Sequence, residues 1–297
     1  MVKLSISQST VESFAANSTQ KAMMIHRRLT QKKKGVIESV PLLKKTKEKI
    51  ILELKKFCDK NGFKDVVFGL SGGLDSALVL ALSVQALGAQ HVHGIMMKTK
   101  YTSQKSLDLA KEIALLNKVD YQEIDIQELV DNFSSILPFE LKNEVTEQNI
   151  QARIRTVIGM AYANEKGWML LSCGNKSEAA MGYCTLYGAD MAGSLAPIGD
   201  LYKTDIYKLA DLINHEKEVI IPQEIINRPP SAELKTNQKD TDSLPEYDVL
   251  DHILKDHIFD NQPVLKKEEK LVSEIKSRYQ KNAFKREQMP PVIKIYE

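Results

Sequence analysis

The sequence predicts an α/β domain built on a parallel sheet with helices on both faces, followed by a helical C-terminal part. Two observations carry this expectation. Between residues 65 and 173, apolar runs of strand length alternate with longer segments whose apolar residues recur at helical spacing. Strand and helix alternating in short units place crossover helices over a parallel sheet. Beyond residue 240 the apolar spacing is helical alone.

Residues 1–37 are polar and end in the basic run RRLTQKKKG (27–35), which reads as a mobile or loosely docked extension ahead of a domain spanning 38–297. A nucleic-acid-binding arm would interleave aromatic residues with the basic ones, and this run has none. From Pro41 onward Leu42, Leu43, Ile50, Leu54 and Phe57 repeat at helical spacing, and Asn61-Gly62 supplies the stop. DVVFGL (65–70) is a buried strand, SALVLALSVQALG (76–88) a helix and HVHGIMM (91–97) a strand. QKSLDLAKEIALLN (104–117) follows as a helix and VDYQEIDI (119–126) as a strand. A long helix across 146–166 leads into WMLLSC (168–173), another strand. Further helices are expected over Leu250–Phe259 and Lys266–Tyr279, with DTDSLPEYD as a loop.

Composition narrows the class. The 297 residues, 43% hydrophobic, suffice to bury a full core. Lys plus Arg number 41 against 39 Asp plus Glu, a net charge of +2, so no global field demands nucleic acid or membrane. MVKLSISQSTVESF lacks the apolar core of a signal peptide. The most apolar stretch, Ala77 to Ala89, is interrupted by Ser83 and Gln85 and is too short to span a bilayer. Cys58, Cys173 and Cys184 show no metal-type spacing, so reduced thiols in a cytoplasmic protein are expected.

The carboxyl end of the first strand is the stretch FGLSGGLDSALVL (68–80). Gly69, Gly72 and Gly73 let backbone N–H groups converge, and the helix beginning near Ser76 turns its positive end to the same spot. That is a phosphate site. The Gly-Lys-Ser/Thr of a P-loop is absent, and a bare carboxylate, Asp75, stands where a cation would be expected. An Asp belongs there if Mg²⁺ bridges it to a pyrophosphate. The plainer alternative is a tight glycine turn whose Asp75 or Ser76 serves only the backbone.

SGGLDS resembles the pyrophosphate loop of the N-type ATP pyrophosphatases, which have the adenine-nucleotide α-hydrolase-like fold and cleave ATP between its α and β phosphates. The segments EQNIQARIR (147–155), GNKSEAAMGYCTLYG (174–188), PIGDLYKTD (197–205), RPPSAEL (228–234) and KDTDSLPEYDVLD (239–251) are together similar to NAD synthetases. VHGIMM, YTS (101–103) and KREQMPPVIK (285–294) bring the chain nearest to the synthetase half of the glutamine-dependent members. The resemblance covers about residues 38–292.

It implies a reaction in which the nicotinate carboxylate of deamido-NAD attacks the α-phosphorus of ATP, and ammonia then displaces AMP from the acyl-adenylate. Such chemistry needs cations and N–H donors aimed at the departing pyrophosphate. On this resemblance Gly69, Leu70, Ser71, Gly72, Gly73, Leu74, Asp75 and Ser76 bind ATP, joined by Cys173, Lys203 and Ser231. Asp75 and Glu178 are the Mg²⁺ ligands and, with Lys203, the catalytic set. Asn149, Arg153, Glu178, Asp190 and Lys285 correspond to the deamido-NAD contacts. Asn149 and Arg153 lie four residues apart and share a helix face. The resemblance also implies a homodimer that completes the dinucleotide site.

Three departures from the family pattern stand out. Cys173 replaces a Thr that touches ATP and is a weaker donor. The family's TLYGDMAG carries one extra residue, Ala189, before Asp190. Lys98, Thr99 and Lys100 replace a Pro-Ser-Arg, so an Arg fork becomes a point charge. The competing readings are nicotinate mononucleotide amidation, a GMP synthetase-like or tRNA-thiolating pyrophosphatase, and a non-catalytic nucleotide-binding regulator. A thiolating enzyme would want a catalytic cysteine pair and a basic RNA face; a regulator would have lost Asp75 or Glu178. The expected nitrogen donor is ammonia, taken free or from a separate glutaminase subunit, because all three cysteines fall within the synthetase-like region.

Overall fold

The computed structural model describes residues 35–216 and 219–296, with side chains from Val40 onward. The N-terminal extension and its basic run therefore lie outside the described residues, up to Lys34. Helix α1 (Gly35–Asn61) opens six residues ahead of Pro41, which it contains. Proline's fixed φ suits a helix, and its cost there is one backbone hydrogen bond. Gly62, at φ 76°, ends α1 where the sequence placed the stop.

Strand β1 (Val66–Gly69) leads through the glycine turn into helix α2 (Leu74–Leu87). Strand β2 (Val92–Lys98), helix α3 (Gln104–Leu116) and strand β3 (Asp120–Asp125) come next. Helix α4 (Gln127–Ser135) precedes the long helix α5 (Glu144–Lys166) and the short strand β4 (Met169–Leu170). All pairings are parallel, in the order β3-β2-β1-β4. The chain thus builds outward from β1 in one direction and then returns to its other side. Parallel α/β sheets place ligands at such a reversal, outside the carboxyl ends of the strands. Here that point lies between β1 and β4.

Alternate strand residues feed two cores. Val66, Phe68, Val92, Met96, Met169 and Leu171 pack with α1, α2 and α3, and with helices α7 (Lys203–Glu216) and α8 (Gln223–Asn227). Val67, Ile95, Met97 and Leu170 face the other way, against α4 and α5. Gly94 keeps β2 close to β1, since a Cβ there would fall 2.9 Å from a methyl of Leu70. A third cluster joins helix α6 (Lys176–Met181) to helix α9 (Tyr247–Ile253) and helix α10 (Glu269–Lys281), ahead of helix α11 (Ala283–Arg286).

Several boundaries differ from expectation. The strand expected over 168–173 shrinks to two residues: the Leu171 N–H still donates to the Val67 carbonyl at 2.9 Å, but from Ser172 the chain bonds to Leu195 instead. α9 starts at Tyr247, inside the expected loop, and continues as a wider π-type turn over Leu254–Phe259. The following helix runs from Glu269 rather than Lys266. Helices α4, α7, α8 and α11 are additional to the elements expected from the sequence. No helix among the described residues is long and apolar enough to cross a membrane.

Leu82 is fully buried in the first core, whereas Leu52 on α1 is 52% exposed. Leu82→Ala should cost about 2–5 kcal/mol in urea unfolding through lost transfer energy and a cavity. Leu52→Ala should stay within about 0.5 kcal/mol of the parent. Equal losses would mean the core is assigned to the wrong face of α1 and α2.

Candidate active site

The turn between β1 and α2 is shaped by its own side chains. Gly72 sits at φ 73°, and a Cβ there would meet the backbone oxygen of Ser106 at 2.4 Å, so only glycine fits. Ser76 donates to the Gly73 carbonyl at 3.1 Å and accepts the Ser71 N–H at 3.2 Å, stapling the turn to the first helical turn. No side chain caps α2, which leaves its first N–H groups at the mouth of the cleft.

Asp75 projects from this first turn towards α6 and α7. Asn175 caps α6 by accepting the Glu178 N–H at 3.0 Å, and its amide reaches Asp75 at 3.5 Å. The Lys203 ammonium, at the start of α7, is bonded to Asp75 and lies 3.3 Å from Glu178. Tyr247 donates to Asp240 at 2.8 Å and stands 3.3 Å from the same Glu178 oxygen. The N-terminal turns of α2, α6 and α7, with the segment that carries Asp240, thus converge on one cation and three carboxylates.

Burial decides the protonation of this cluster. It raises the Glu178 carboxyl from 4.5 to about 8, with Lys203 opposing and Asp75, Asp240 and Asp190 reinforcing. Burial likewise raises Asp240, against the pull of Lys203 and the Tyr247 hydroxyl. For Lys203 burial works to lower the value, but the charges of Asp75 and Glu178 prevail and raise it. The site carries more negative charge than one lysine offsets.

The cleft encloses about 220 Å³ and is lined by Gly69, Ser71, Gly73, Leu74, Asp75, Ser76, Cys173, Glu178, Asp190, Lys203 and Ser231, among others. It shares Thr102, Arg228, Pro229, Ser231 and Glu233 with a more open recess of about 660 Å³. Of the residues singled out from sequence, Leu70 is fully buried beneath the turn, and Gly72 packs against α3. The Cys173 sulfur lies 3.9 Å from the Gly69 carbonyl, and burial raises its thiol. Asp190, despite the extra Ala189, faces the cleft; its enclosure raises the carboxyl and Arg155 counters it.

Four residues are less directly placed. Ser231 lines the cleft but donates to the Gln238 carbonyl at 2.5 Å. Asn149 accepts from the Thr185 hydroxyl at 2.7 Å, and Arg153 donates through Nε to the Leu186 carbonyl at 3.1 Å, outside the cleft lining. Lys285 donates to the carbonyls of Gly182 and Cys184 at 2.8 and 2.7 Å, closing the end of α6 rather than facing the cleft.

Other cleft residues were quoted in the motifs without a role. Arg155, two positions after Arg153, donates through Nε to Met97 at 3.1 Å; burial lowers it to about 10, while Asp190 and Glu233 counter. Arg228 binds Ser106 at 2.9 Å and Glu233 at 3.0 Å, tying the RPPSAEL segment to α3. Helical spacing alone separates Arg155 from Arg153, because residues two apart leave a helix on different faces.

Among the described residues no group of three His, Cys, Asp or Glu side chains forms a self-sufficient metal site. Yet Asp75 Oδ1 is buried without a hydrogen-bond partner among the described residues, and Asp75 and Glu178 both line the cleft. Two hard oxygen donors of this kind suit Mg²⁺, which takes one or two carboxylates and completes its shell with phosphate and water.

A parallel four-stranded sheet with helices on both faces and a glycine turn at its switch point is the α/β, N-type ATP pyrophosphatase fold. The NAD synthase family model matches residues 46–289, and the chain belongs to that family. It is 43% identical over 241 residues to the glutamine-dependent NAD(+) synthetase of Acinetobacter baylyi, covering 79% of this chain and 44% of that one. The chain therefore spans less than half the length of that curated relative. The solved NH3-dependent NAD synthetase of Campylobacter jejuni matches with TM-score 0.69 and 30% identity over 85% of this chain and 99% of its own. The NMN synthetase of Francisella tularensis matches with TM-score 0.69 and 25% identity, over 81% and 95%.

A raised carboxyl stabilises the fold below its unfolded value and loses that contribution as pH climbs through its folded value. In chelator-treated protein, stability should therefore fall between about pH 4.5 and 8 as Glu178 is forced to ionise. Glu178→Gln should flatten that decline and gain most at the alkaline end. Thermal melts that keep the full slope in the variant would show that Glu178 is not its source.

Proposed function

We propose that the chain amidates deamido-NAD to NAD, with ATP cleaved to AMP and pyrophosphate. The observation that carries this reading is the Lys203 ammonium between Asp75 and Glu178, beside a glycine turn at a helix N-terminus. Deamido-NAD presents its nicotinate carboxylate, one oxygen forms a bond to the α-phosphorus, and the bond to pyrophosphate breaks. The N–H groups of the turn and Lys203 bind the departing phosphates. Ammonia then attacks the acyl carbon, AMP leaves with the former carboxylate oxygen, and the ammonia-derived nitrogen loses a proton. Asp75 and Glu178 would hold Mg²⁺, which supplies positive charge to the phosphates. Among the described residues Arg153 is bonded only through Nε, so its terminal nitrogens would serve substrate phosphate.

A second reading, amidation of nicotinate mononucleotide, is favoured by the likeness to the Francisella NMN synthetase. Self-association into a homodimer is supported by apolar side chains exposed on neighbouring helices, Leu129 and Phe133 on α4 and Val157 on α5.

Assays with ATP, Mg²⁺ and each acid test the reading. Deamido-NAD should release AMP and pyrophosphate and yield NAD; turnover of nicotinate mononucleotide alone would move the assignment to the second reading. Asp75→Asn should cut turnover by about 100-fold or more in protein that remains folded, because it removes a carboxylate that would hold Mg²⁺ against the leaving group. Near-parental rates at saturating Mg²⁺ would remove Asp75 from the mechanism.

The nitrogen donor for the isolated chain is ammonium. A glutaminase of the cysteine type needs a thiolate, and burial raises Cys58 to about 11 and Cys184 to about 12, with Cys173 raised as well. NAD formation should proceed with ammonium and stay at background with glutamine. Comparable rates with glutamine, in protein free of contaminating glutaminase, would reveal a second active site.

A further inference from the structure

One buried carboxylate outside the proposed chemistry touches both elements that deliver its charged groups. Asp251, on α9, is 1% exposed. One of its oxygens takes the hydroxyl hydrogen of Ser177, and the other accepts the Thr204 N–H at 2.8 Å. The Ser177 oxygen in turn accepts the Lys203 N–H at 2.9 Å. Ser177 immediately precedes Glu178, and Thr204 immediately follows Lys203. A single carboxylate thereby fixes the backbone beside both charged residues.

This is more than an ordinary helix cap. A cap comes from the residue before the helix. Here the first two N–H groups of α7 are met by side chains 26 and 47 positions away in sequence. What those bonds set is the register of α7 against α6, and hence the separation of the Lys203 ammonium from Glu178. Helix α9 reinforces the same geometry one turn earlier, where Tyr247 lies 3.3 Å from Glu178 and shares a face with Asp251. Lys203 has little freedom to compensate for a shift of its backbone, because its side chain is enclosed and bonded at its tip.

We propose that Asp251, acting through Ser177 and Thr204, is a positioning residue that holds Lys203 and Glu178 at the spacing the departing pyrophosphate requires. The proposal rests on the phosphate role assigned to Lys203 above. It predicts a loss in the chemical step rather than in substrate capture, since the triphosphate keeps its glycine turn and helix N-terminus.

The test compares Asp251→Asn, Ser177→Ala and Lys203→Met by steady-state kinetics with ATP and deamido-NAD, alongside thermal melts. Asp251→Asn keeps the shape but replaces one acceptor by a donor; Ser177→Ala breaks the relay with Asp251 in place. Each should lower kcat on the order of 10- to 100-fold, the scale of a displacement near 1 Å at the reacting groups. KM for ATP should change less than about threefold, the mark of an interaction realised in the transition state. If Asp251→Asn fails to fold, Ser177→Ala decides alone. Turnover within about twofold of the parent in the folded variants overturns the positioning role. A kcat loss matched by an equal rise in KM also overturns it. Full activity in Lys203→Met would instead sink the phosphate role itself, a failure separate from that of Asp251.

Discussion

The contact on which the site depends is the buried ammonium of Lys203 between Asp75 and Glu178. Taking these charges out of water is expensive, and a buried ion pair is weak evidence for stability. Hydrophobic side chains of similar volume would serve the fold at least as well. On the function proposed above, the cluster is a charge arrangement that serves phosphate. Asp240 and Asp190 add negative charge that one lysine does not offset, and burial keeps Glu178 prone to protonation. An excess of carboxylate that is costly in isolation favours a divalent cation once a triphosphate brings oxygens of its own.

The sheet makes this arrangement possible. Asp75 comes from the turn after β1, Glu178 from the segment after β4, and Lys203 from the helix that packs beside α2. β1 and β4 are neighbours only because the chain returns to the inner strand after building outward through β2 and β3. The site is therefore a consequence of strand order. Residues 100 and 128 positions from Asp75 in sequence, Asn175 and Lys203, meet it there.

Much of this was legible in the sequence, for physical reasons that differ by element. The strands around β1 and β2 read clearly because their runs are apolar on both faces, as a covered parallel sheet demands. The turn SGGLDS read clearly because glycines and a following helix leave few alternatives. β4 is shorter than expected: WMLLSC is apolar over its first four residues, but only two of them pair with β1 before Leu171 also bridges Leu195. Helices α6 and α8 are one or two turns long, too short for a periodic pattern, and are set by Asn175 capping and tertiary packing. Of the residues picked out by motifs, Asp75, Glu178, Lys203 and Asp190 line the cleft, and Lys285 packs on the end of α6. Arg155, Arg228, Asp240, Tyr247 and Asp251 sit inside quoted motifs without an assigned part. Their contacts join segments up to 156 positions apart, and spacing in one sequence cannot show that.

The most direct measurement is a crystal structure with a non-hydrolysable α,β-methylene analogue of ATP and Mg²⁺. The account predicts the β and γ phosphates on the turn from Ser71 to Ser76. It predicts Mg²⁺ at about 2.0–2.1 Å from carboxylate oxygens of Asp75 and Glu178. The Lys203 ammonium should be drawn from Asp75 towards the phosphates. A triphosphate lodged in the outer recess, or a metal held without either carboxylate, would contradict it.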